Sequence, residues 1–373
     1  MVERAIPSVR GGYRARSPQV IFLLLLALLL PCSVSAAYEG FGTTTQAGNQ
    51  GQVVEVTSLE DSGSGTLREA LKAGETPRRI IFRVGGTIKL QRPVKIKEQS
   101  FITIDGSTAP SPGITLVDRP LYIQDSHDIL ITHIRVRHSQ SDGLTIRGSH
   151  HVIVDHCSMT DAGDENIGIT QDCHDVTVSW CIIGDTRSGS ELKPKGVLIA
   201  NFDKPAVTNV SLHHNLFLYE SQRNPQISTV GLFDIRNNVI WHWRAYGIRM
   251  RRGARGNIIN NVFKTEVNAR KAILLTENPG PVYIEGNQGP ENFDVNRLST
   301  AQSPFSVATV STDPVEAVEQ KVLRDAGALP RDETDVALAG KTSVPTVDNP
   351  PEGIDHVDHQ QDTPEKSLGA SHP

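Results

Sequence analysis

The stretch HHVIVDHCSM, residues 150–159, recurs with variations as HDVTVSWCII (174–183), NVSLHHNLF (209–217) and FDIRNNVI (233–240). Each copy holds an eight-residue cassette in which apolar and polar residues alternate before Asn or Cys and further apolar residues. The cassette begins at Ile129, Val152, Val176, Val210, Phe233, Gly256 and Val282. Successive copies are therefore 23, 24, 34, 23, 23 and 26 residues apart.

A repeat of this length with an alternation of period two is typical of stacked strands, one or more per coil. A leucine-rich repeat has a similar period but needs a Leu-x-x-Leu-x-Leu frame, which is absent. The pattern therefore predicts an all-β parallel β-helix. Its coils stack at about 4.8 Å, and each buries its apolar face only against its neighbours.

The sixth cassette position predicts a column of side chains along one bend of the coils. It holds Ile134, Cys157, Cys181, Asn215, Asn238, Asn261 and Asn287. Four successive asparagines indicate an amide ladder, in which each side chain bonds to turn backbone of the neighbouring coil. Asparagine at a bend is a structural residue far more often than a catalytic one.

The cysteines leave two alternatives open. Cys157 and Cys181 hold the same position in adjacent coils, so they could form a bridge and leave Cys173 unpaired. All three could equally be small buried hydrophobic residues. Four cysteines in the whole chain, without paired Cys-x-x-Cys spacing, argue against a zinc site.

The one long step, from Val176 to Val210, adds about ten residues to a coil. Extra residues in a stacked coil must leave it as a loop, and such loops often carry the binding face. We expect this loop to contain Arg187, Lys193 and Lys195.

The N-terminus predicts export. In residues 1–36, arginines precede an apolar run of eleven residues from Val20 to Leu30, and Val34-Ser35-Ala36 suits cleavage after Ala36. A membrane anchor is the alternative, but eleven residues are too few to span a bilayer about 30 Å thick. We therefore expect a secreted protein, extracellular or periplasmic, without a stable membrane anchor.

The remaining organisation follows from composition. Residues 37–300 form the β-helix domain, with a helix from Leu67 to Ala73 capping its open end. Residues 301–340 form a C-terminal extension with a short helix from Val315 to Ala326. Residues 341–373, rich in proline and charge, are predicted to be a disordered tail. A net charge of −5 and 5% aromatic residues give no sign of nucleic-acid binding, and we expect a monomer.

Three cations are predicted to share one face of the solenoid. Arg223 lies in Ser221-Gln222-Arg223-Asn224-Pro225, with Lys195 one coil earlier and Arg251 one coil later. Cations stacked in this way would form a groove for a polyanion, since guanidinium groups suit bidentate contact with carboxylates. The alternative is a set of solvated surface charges.

Carboxylates gather one or two coils before these cations, at Asp142, Asp161, Asp164 and Glu165. Hard cations such as calcium take several oxygen ligands, which two of these carboxylates and a substrate carboxylate could supply. The alternative is that these residues cap loops. No nucleophile elbow or metalloprotease helix motif is present.

Four segments give the chain a family resemblance over residues 38–290. They are LEDSGSGTLREAL (59–71), VIVDHCS (152–158), Arg223-Asn224-Pro225 and VLRDAGALPRDETD (322–335). The chain resembles secreted pectate lyases of the right-handed parallel β-helix type. The resemblance implies a right-handed single-stranded parallel β-helix with a short N-terminal capping helix and a C-terminal helix and tail.

The same resemblance assigns roles to five residues. Arg223 becomes the catalytic base that removes the C5 proton of a galacturonate unit, and Lys195 engages the substrate carboxylate. Arg251 binds the substrate. Asp142 and Asp164 become calcium ligands.

Three departures from the family pattern predict a depleted calcium site. Gln140 and Gly168 replace acidic residues, and Ser228 replaces a second arginine. Glu165 is a candidate to compensate for the missing acids.

The resemblance implies β-elimination of polygalacturonate, a polysaccharide substrate. The alternatives are a catalytically impaired β-helix that only binds carbohydrate, a lyase acting on another uronate polymer, and a hydrolase using paired acids. The hydrolase ranks last because the Asp-Asp and Gly-His-Gly pattern of polygalacturonases is absent.

Overall fold

The chain divides into two compact units, Met1–Ala37 and Tyr38–Pro373. The computed structural model describes residues 1–2, 38–72, 74, 76–185, 195–202, 206–265, 271–290, 295 and 298–341. Apart from residues 1–2 and 341, the predicted signal segment and tail lie outside these residues. Among the described helices, none combines the length and the apolar character needed to cross a membrane.

The second unit is a solenoid of three parallel sheets, and its strands are numbered in chain order. Sheet A has ten strands: β1 (Gln52–Val56), β2 (Arg78–Phe82), β5 (Ser100–Asp105), β8 (His127–Thr132), β11 (His150–Asp155), β14 (His174–Ser179), β17 (Thr208–His213), β20 (Gly231–Arg236), β23 (Ala254–Ile259) and β26 (Val282–Glu285). Each strand pairs with the corresponding strand of the next coil.

Sheets B and C have eight strands each. Sheet B holds β3 (Gly86–Lys89), β6 (Ile114–Val117), β9 (Ile134–Arg137), β12 (Ser158–Thr160), β15 (Ile182–Gly184), β18 (Leu216–Leu218), β21 (Val239–Trp241) and β24 (Val262–Lys264). Sheet C holds β4 (Val94–Lys97), β7 (Leu121–Gln124), β10 (Leu144–Arg147), β13 (Glu165–Thr170), β16 (Lys195–Ala200), β19 (Gln226–Ser228), β22 (Ile248–Arg251) and β25 (Ile273–Leu275). The predicted parallel β-helix is confirmed, with three strands in a coil.

The register of sheet A confirms the repeat. Val152 pairs with Ile129 in the preceding coil and with Val176 in the next, and the series continues in the same register to Val282. Because the side chains of a strand alternate between its two faces, these residues all point inward and are buried. Inward side chains from all three sheets form one continuous core, and burying each large aliphatic one contributes about 1.5–3 kcal/mol.

The asparagine column is also confirmed. The backbone N–H of Asn215 donates to Oδ1 of Asn238 at 3.0 Å, and the same bond recurs from Asn238 to Asn261 and from Asn261 to Asn287. Each side-chain amide also donates to the next Oδ1, at 2.9–3.0 Å. The backbone N–H of Cys181 donates to Asn215 and extends the column. Buried polar groups are thereby satisfied at the bends from Cys181 to Asn287.

The three described cysteines are free and buried, so Cys157 and Cys181 form no bridge. Burial raises the pKa of the Cys173 thiol to about 12 and that of Cys181 well above its usual value. Since thiolates are the reactive species, these residues act as small core side chains.

The N-terminal helix is shorter than predicted. α1 (Leu67–Ala70) begins where the side chain of Thr66 accepts a hydrogen bond from the backbone N–H of Glu69 at 3.2 Å. Its apolar side packs into the core at the end of the solenoid. The helix ends at Ala70, with Leu71 as its C-cap, so the predicted continuation through Leu71 and Lys72 is wrong; Ala73, the predicted end, lies outside the described residues.

The C-terminal extension carries two helices where the sequence predicted one. α2 (Val315–Asp325) matches the predicted span to within a residue. Its Val318 and Val322 pack on an apolar outer patch of sheet B. α3 (Glu333–Lys341) was missed because the segment lacks a clear helical period of apolar residues.

A buried ion-pair network, here called the Asp335 brace, ties α3 to sheet B. Asp335 Oδ2 accepts hydrogen bonds from Arg135 Nε at 2.8 Å and from Ser158 Oγ at 2.9 Å. Its other oxygen accepts from Arg137 Nη2 at 2.6 Å, while Arg137 Nη1 donates to Asp332 at 2.6 Å. Asp335 and Arg135 are completely buried, so their charges are balanced within this network of two arginines and two aspartates.

Two histidines, the buried His213 and the half-buried His133, are expected to make the stability of the solenoid depend on pH. Burial lowers the pKa of His213 to about 3 and that of His133 to about 4, against about 6.5 in an unfolded chain. The unfolded state binds protons more readily, so their contribution to stability is complete above about pH 6.5 and is lost as the pH falls toward these values.

At pH 5 we expect each of these histidines to lower the free energy of unfolding by about 1–2 kcal/mol relative to pH 7. Guanidinium unfolding of the protein and of His213→Asn at both pH values measures this. The variant should lose part of the pH dependence, and an unchanged difference between pH 7 and pH 5 would contradict the prediction.

Candidate functional site

The site lies at one end of the sheet C strands. Lys195 is the first residue of β16 and pairs in register with Glu165, the first residue of β13. The expectation that Lys195 lies in the inserted loop is therefore wrong, because it forms a bridge to Gln222 and continues the ladder. Arg187 and Lys193 lie outside the described residues.

Lys195 and Arg223 meet at a shared carboxylate. Lys195 Nζ contacts Asp164 Oδ1 and lies 3.8 Å from Glu165 Oε1. Arg223 Nη1 donates to the same Glu165 oxygen. The Lys195, Arg223 and Glu165 side chains are 19%, 12% and 7% exposed, so their charges are less screened by water than those of a surface pair.

Asp142, Asp164 and Glu165 form a group, here called the carboxylate triad, with one oxygen of each within 4.8 Å of the others. Two oxygens that are each about 2.4 Å from one ion lie at most about 4.8 Å apart. The triad therefore fits a hard divalent cation such as calcium. A Cβ atom at Gly168 would lie 3.0 Å from Asp142 Oδ2, so that position borders the triad but adds no side-chain oxygen.

The pKa of the Asp142 carboxyl group is raised above the usual value for aspartate. Burial and the nearby charge of Asp164 raise the pKa of Asp142 to about 6, against the opposing effects of a hydrogen bond from Thr145 and of the Lys195 and Arg223 charges. The Thr145 hydroxyl donates to Asp142 Oδ2 at 2.7 Å. Asp142 is therefore ionised at neutral pH, and a cation that binds the triad favours this ionised form.

Arg251 lies one coil beyond Arg223 on the same sheet but contacts different partners. It pairs in register with Ser228, and its Nε donates to Ser228 Oγ at 3.0 Å. Its Nη1 donates to Glu277 Oε1 at 2.6 Å. The structure thus brings Lys195 and Arg223 together at Glu165. Arg251 is not part of this contact: it bonds to Ser228 and pairs with a different carboxylate, Glu277.

A layer beneath the charged groups fixes their backbone. Buried Glu220 accepts a hydrogen bond from Asn166 Nδ2 at 2.9 Å, and the Glu220 carbonyl accepts one from Asn224 Nδ2 at 3.2 Å. Asn166 Nδ2 also lies 3.3 Å from the Lys195 carbonyl. These amides therefore link the segment before Arg223 to the strands that carry Glu165 and Lys195.

Sequence reasoning missed Tyr246 and Arg249. The buried Tyr246 hydroxyl donates to Gln226 Oε1. Burial raises the Tyr246 pKa, and the charges of Arg223, Arg249 and Arg251 oppose this rise. Arg249 could have been found by alternation, since it precedes Arg251 by two positions, whereas Tyr246 lies outside the repeat.

The sequence is similar to a family model and to several known proteins. A family model described as "Right handed beta helix region" matches residues 94–228. The probable pectate lyase C of Emericella nidulans is 34% identical over 250 residues, which cover 64% of this chain and 56% of that protein. The corresponding protein of Aspergillus terreus is 31% identical, with 70% and 61% covered. The chain thus spans a little over half the length of these fungal relatives.

A bacterial relative matches over a longer span. The pectate trisaccharide-lyase of Thermotoga maritima is 25% identical over 376 residues, covering 84% of this chain and 95% of that protein. Among solved structures, a major allergen from cedar pollen has a TM-score of 0.66 at 19% identity, with 78% of this chain and 93% of that one covered. A Bacillus pectate lyase in complex with trigalacturonate has a TM-score of 0.63 at 17% identity, with 78% and 98% covered.

Three parallel sheets, the stacked register and the family model define a right-handed parallel β-helix protein. The structural neighbours, at such low identity, support the fold alone. With the sequence relatives added, the chain is a right-handed parallel β-helix protein that is similar in sequence to fungal and bacterial pectate lyases.

Proposed function

We propose that this chain is a secreted pectate lyase, extracellular or periplasmic, that cleaves α-1,4-galacturonan by β-elimination and acts as a monomer. The observation that carries the proposal is the meeting of Lys195 and Arg223 at Glu165, a buried carboxylate that is itself one of the carboxylate triad. The names of the sequence relatives support the same activity.

The chemistry follows from the charges. The C5 proton of a uronate is weakly acidic because it lies beside the C6 carboxylate, and cations on that carboxylate stabilise the enolate-like charge that develops. Lys195 supplies one such cation. A calcium ion held by Asp142, Asp164 and Glu165 would add a Lewis acid. Departure of the C4 oxygen then leaves a 4,5-unsaturated end.

Arg223 is the proposed base. Arg223 must be in its neutral form to accept a proton, and the nearby charge of Lys195 disfavours the cationic form. Glu165 has the opposite effect while it accepts the hydrogen bond from Arg223. If Glu165 bound a metal cation instead, it would no longer stabilise the cationic form of Arg223. Glu165 therefore links cation binding to the ability of Arg223 to act as a base.

The test is incubation of the mature protein with polygalacturonate, with and without calcium, while the ultraviolet absorbance of unsaturated product is followed. Rising absorbance supports the proposal. Binding without product would indicate a carbohydrate-binding protein, and product from only another uronate polymer would change the substrate. New reducing ends without absorbance would indicate a hydrolase.

Calcium binding by the triad gives a separate prediction. Asp142→Asn and Glu165→Gln should each weaken calcium binding by at least about tenfold, since each removes a charged oxygen ligand. Binding should also weaken as the pH falls below about 6, where Asp142 takes up a proton. Calorimetric titration with calcium alone measures both effects.

Asp161→Asn is the matched control for calcium binding. Asp161 lies in the same loop region but contacts His138 and is not one of the triad. We expect its calcium affinity to equal that of the unaltered protein. Equal affinities in all four proteins would exclude the triad as the calcium site.

A further inference from the structure

A second cluster of charge lies on sheet C beyond Arg223. Alternation along β22 places Arg249 and Arg251 on its outer face, and Arg252 follows directly. One carboxylate contacts all three: Glu277 Oε1 accepts from Arg249 Nη2 at 3.0 Å and from Arg251 Nη1 at 2.6 Å, and Oε2 lies 3.4 Å from Arg252 Nε. Glu277 and the three arginines that it contacts are here called the Glu277 cluster.

The arginines of this cluster have supports apart from Glu277. Arg249 Nε donates to Thr276 Oγ1 at 3.0 Å, and its guanidinium lies 5.5 Å from the centre of the Tyr246 ring. Arg251 Nε donates to Ser228. Both guanidinium side chains are therefore already positioned by neighbours on the sheet, which lowers the entropic cost of binding an anion.

Glu277 is more exposed than two of the three arginines that it contacts. Its side chain is 42% exposed, whereas those of Arg249 and Arg251 are 16% and 11% exposed and that of Arg252 is 57% exposed. Glu277 lies in the turn after β25, so its side chain can leave the cluster without disturbing a strand. Its carboxylate thus rests on the largely buried side chains of Arg249 and Arg251, which is the arrangement that a bound uronate would have.

The cluster is continuous with the proposed active site. Arg251 pairs with Ser228, which lies five residues after Arg223, and adjacent strands of a sheet are about 4.8 Å apart. The charges of Arg223, Arg249 and Arg251 all act on the hydroxyl of Tyr246. A polyuronate that places one carboxylate at Lys195 and Arg223 can therefore present another to the Glu277 cluster.

We infer that Arg249, Arg251 and Arg252 form a second carboxylate subsite, that Glu277 occupies it in the free protein, and that a uronate carboxylate of the polymer displaces Glu277. This inference rests on the proposed function and deepens it, because it requires free acid at a second sugar of the substrate. The polymer can bind the subsite only in molecules from which Glu277 has moved away. The apparent affinity for the polymer is therefore the intrinsic affinity multiplied by the fraction of molecules with an open subsite.

The test is Glu277→Gln, which keeps the side-chain shape and removes the charge. Trigalacturonate binding is measured by calorimetry in the presence of a chelator. We expect about three- to tenfold tighter binding than in the unaltered protein, since the three partly exposed ion pairs of Glu277 no longer compete. The fully methyl-esterified trimer should bind the two proteins equally, because it offers no carboxylate to the subsite.

Two further variants complete the test. Glu55→Gln removes an exposed carboxylate that pairs with Arg83 between β1 and β2, and it should leave trigalacturonate affinity unchanged. Arg249→Gln should weaken binding of the acidic trimer but not of its ester.

Equal or weaker trigalacturonate binding by Glu277→Gln overturns the inference, and so does equal tightening for the ester. A lower melting temperature with no gain in affinity would show that Glu277 only braces the sheet. These binding results do not depend on turnover. Absence of unsaturated product would defeat the proposed function, whereas an active lyase with unaltered affinity in Glu277→Gln would defeat the subsite alone.

Discussion

Replacing Arg223 by glutamine is expected to lower kcat for release of unsaturated product by about 100- to 10,000-fold, the contribution of a positioned general base. KM should change much less, because Lys195 and the Glu277 cluster still bind the polymer. The absorbance assay over a range of polygalacturonate concentrations separates the two constants.

Arg147→Gln is the control for this experiment. Arg147 also lies on the outer face of sheet C, on β10, where its Nε donates to the Gln171 side chain at 2.8 Å. It lies three strands before β19 and should retain nearly full activity. A kcat for Arg223→Gln within about threefold of the unaltered protein would remove Arg223 from the base role.

Replacing Asp335 by alanine is expected to lower the free energy of unfolding by about 3–5 kcal/mol. The change leaves buried Arg135 with only the more distant carboxylate of Asp332, at 3.6 Å, and removes the acceptor of the Ser158 hydroxyl. Guanidinium unfolding measures the loss, and hydrogen exchange of α3 should show that this helix opens first.

Asp325→Asn is the matched control on the neighbouring helix α2. Asp325 pairs with Arg324, whose side chain is 66% exposed, and such a surface pair contributes about 0–1 kcal/mol. A loss for Asp335→Ala no larger than that for Asp325→Asn would show that the brace does not stabilise the fold.

The repeat made the fold predictable from the sequence. The position of Val152 in its cassette, counted forward and back by one period, gives its observed partners Val176 and Ile129. The asparagine column followed from the same counting. Both succeed because a solenoid turns sequence separation by one period into spatial adjacency.

The same counting placed Lys195, Arg223 and Arg251 on neighbouring coils but could not give their partners. Whether a lysine meets Asp164 or Glu165 depends on side-chain rotamers and on turns outside the repeat. Glu277 was missed for this reason, since it lies in a turn and no period predicts its contact with β22.

The corrections have equally local causes. Lys195 continues a ladder because its backbone can pair with both Glu165 and Gln222, which a count of inserted residues cannot reveal. α3 depends on the Asp335 brace, whose arginines lie about 200 residues earlier in the chain. A helix stabilised by such distant contacts leaves little trace in its own sequence.

Because of the asparagine column, neighbouring coils are harder to pull apart along the solenoid axis in one half of the solenoid than in the other. From Asn215 to Asn287 each bend adds side-chain hydrogen bonds between coils, whereas Ile134 and Cys157 hold the corresponding bends nearer the N-terminus. Coils that carry β19 and β22 therefore belong to the stiffer half. A sugar chain bound along both halves would contact stiffer coils near Arg251 and more deformable coils near Asp142.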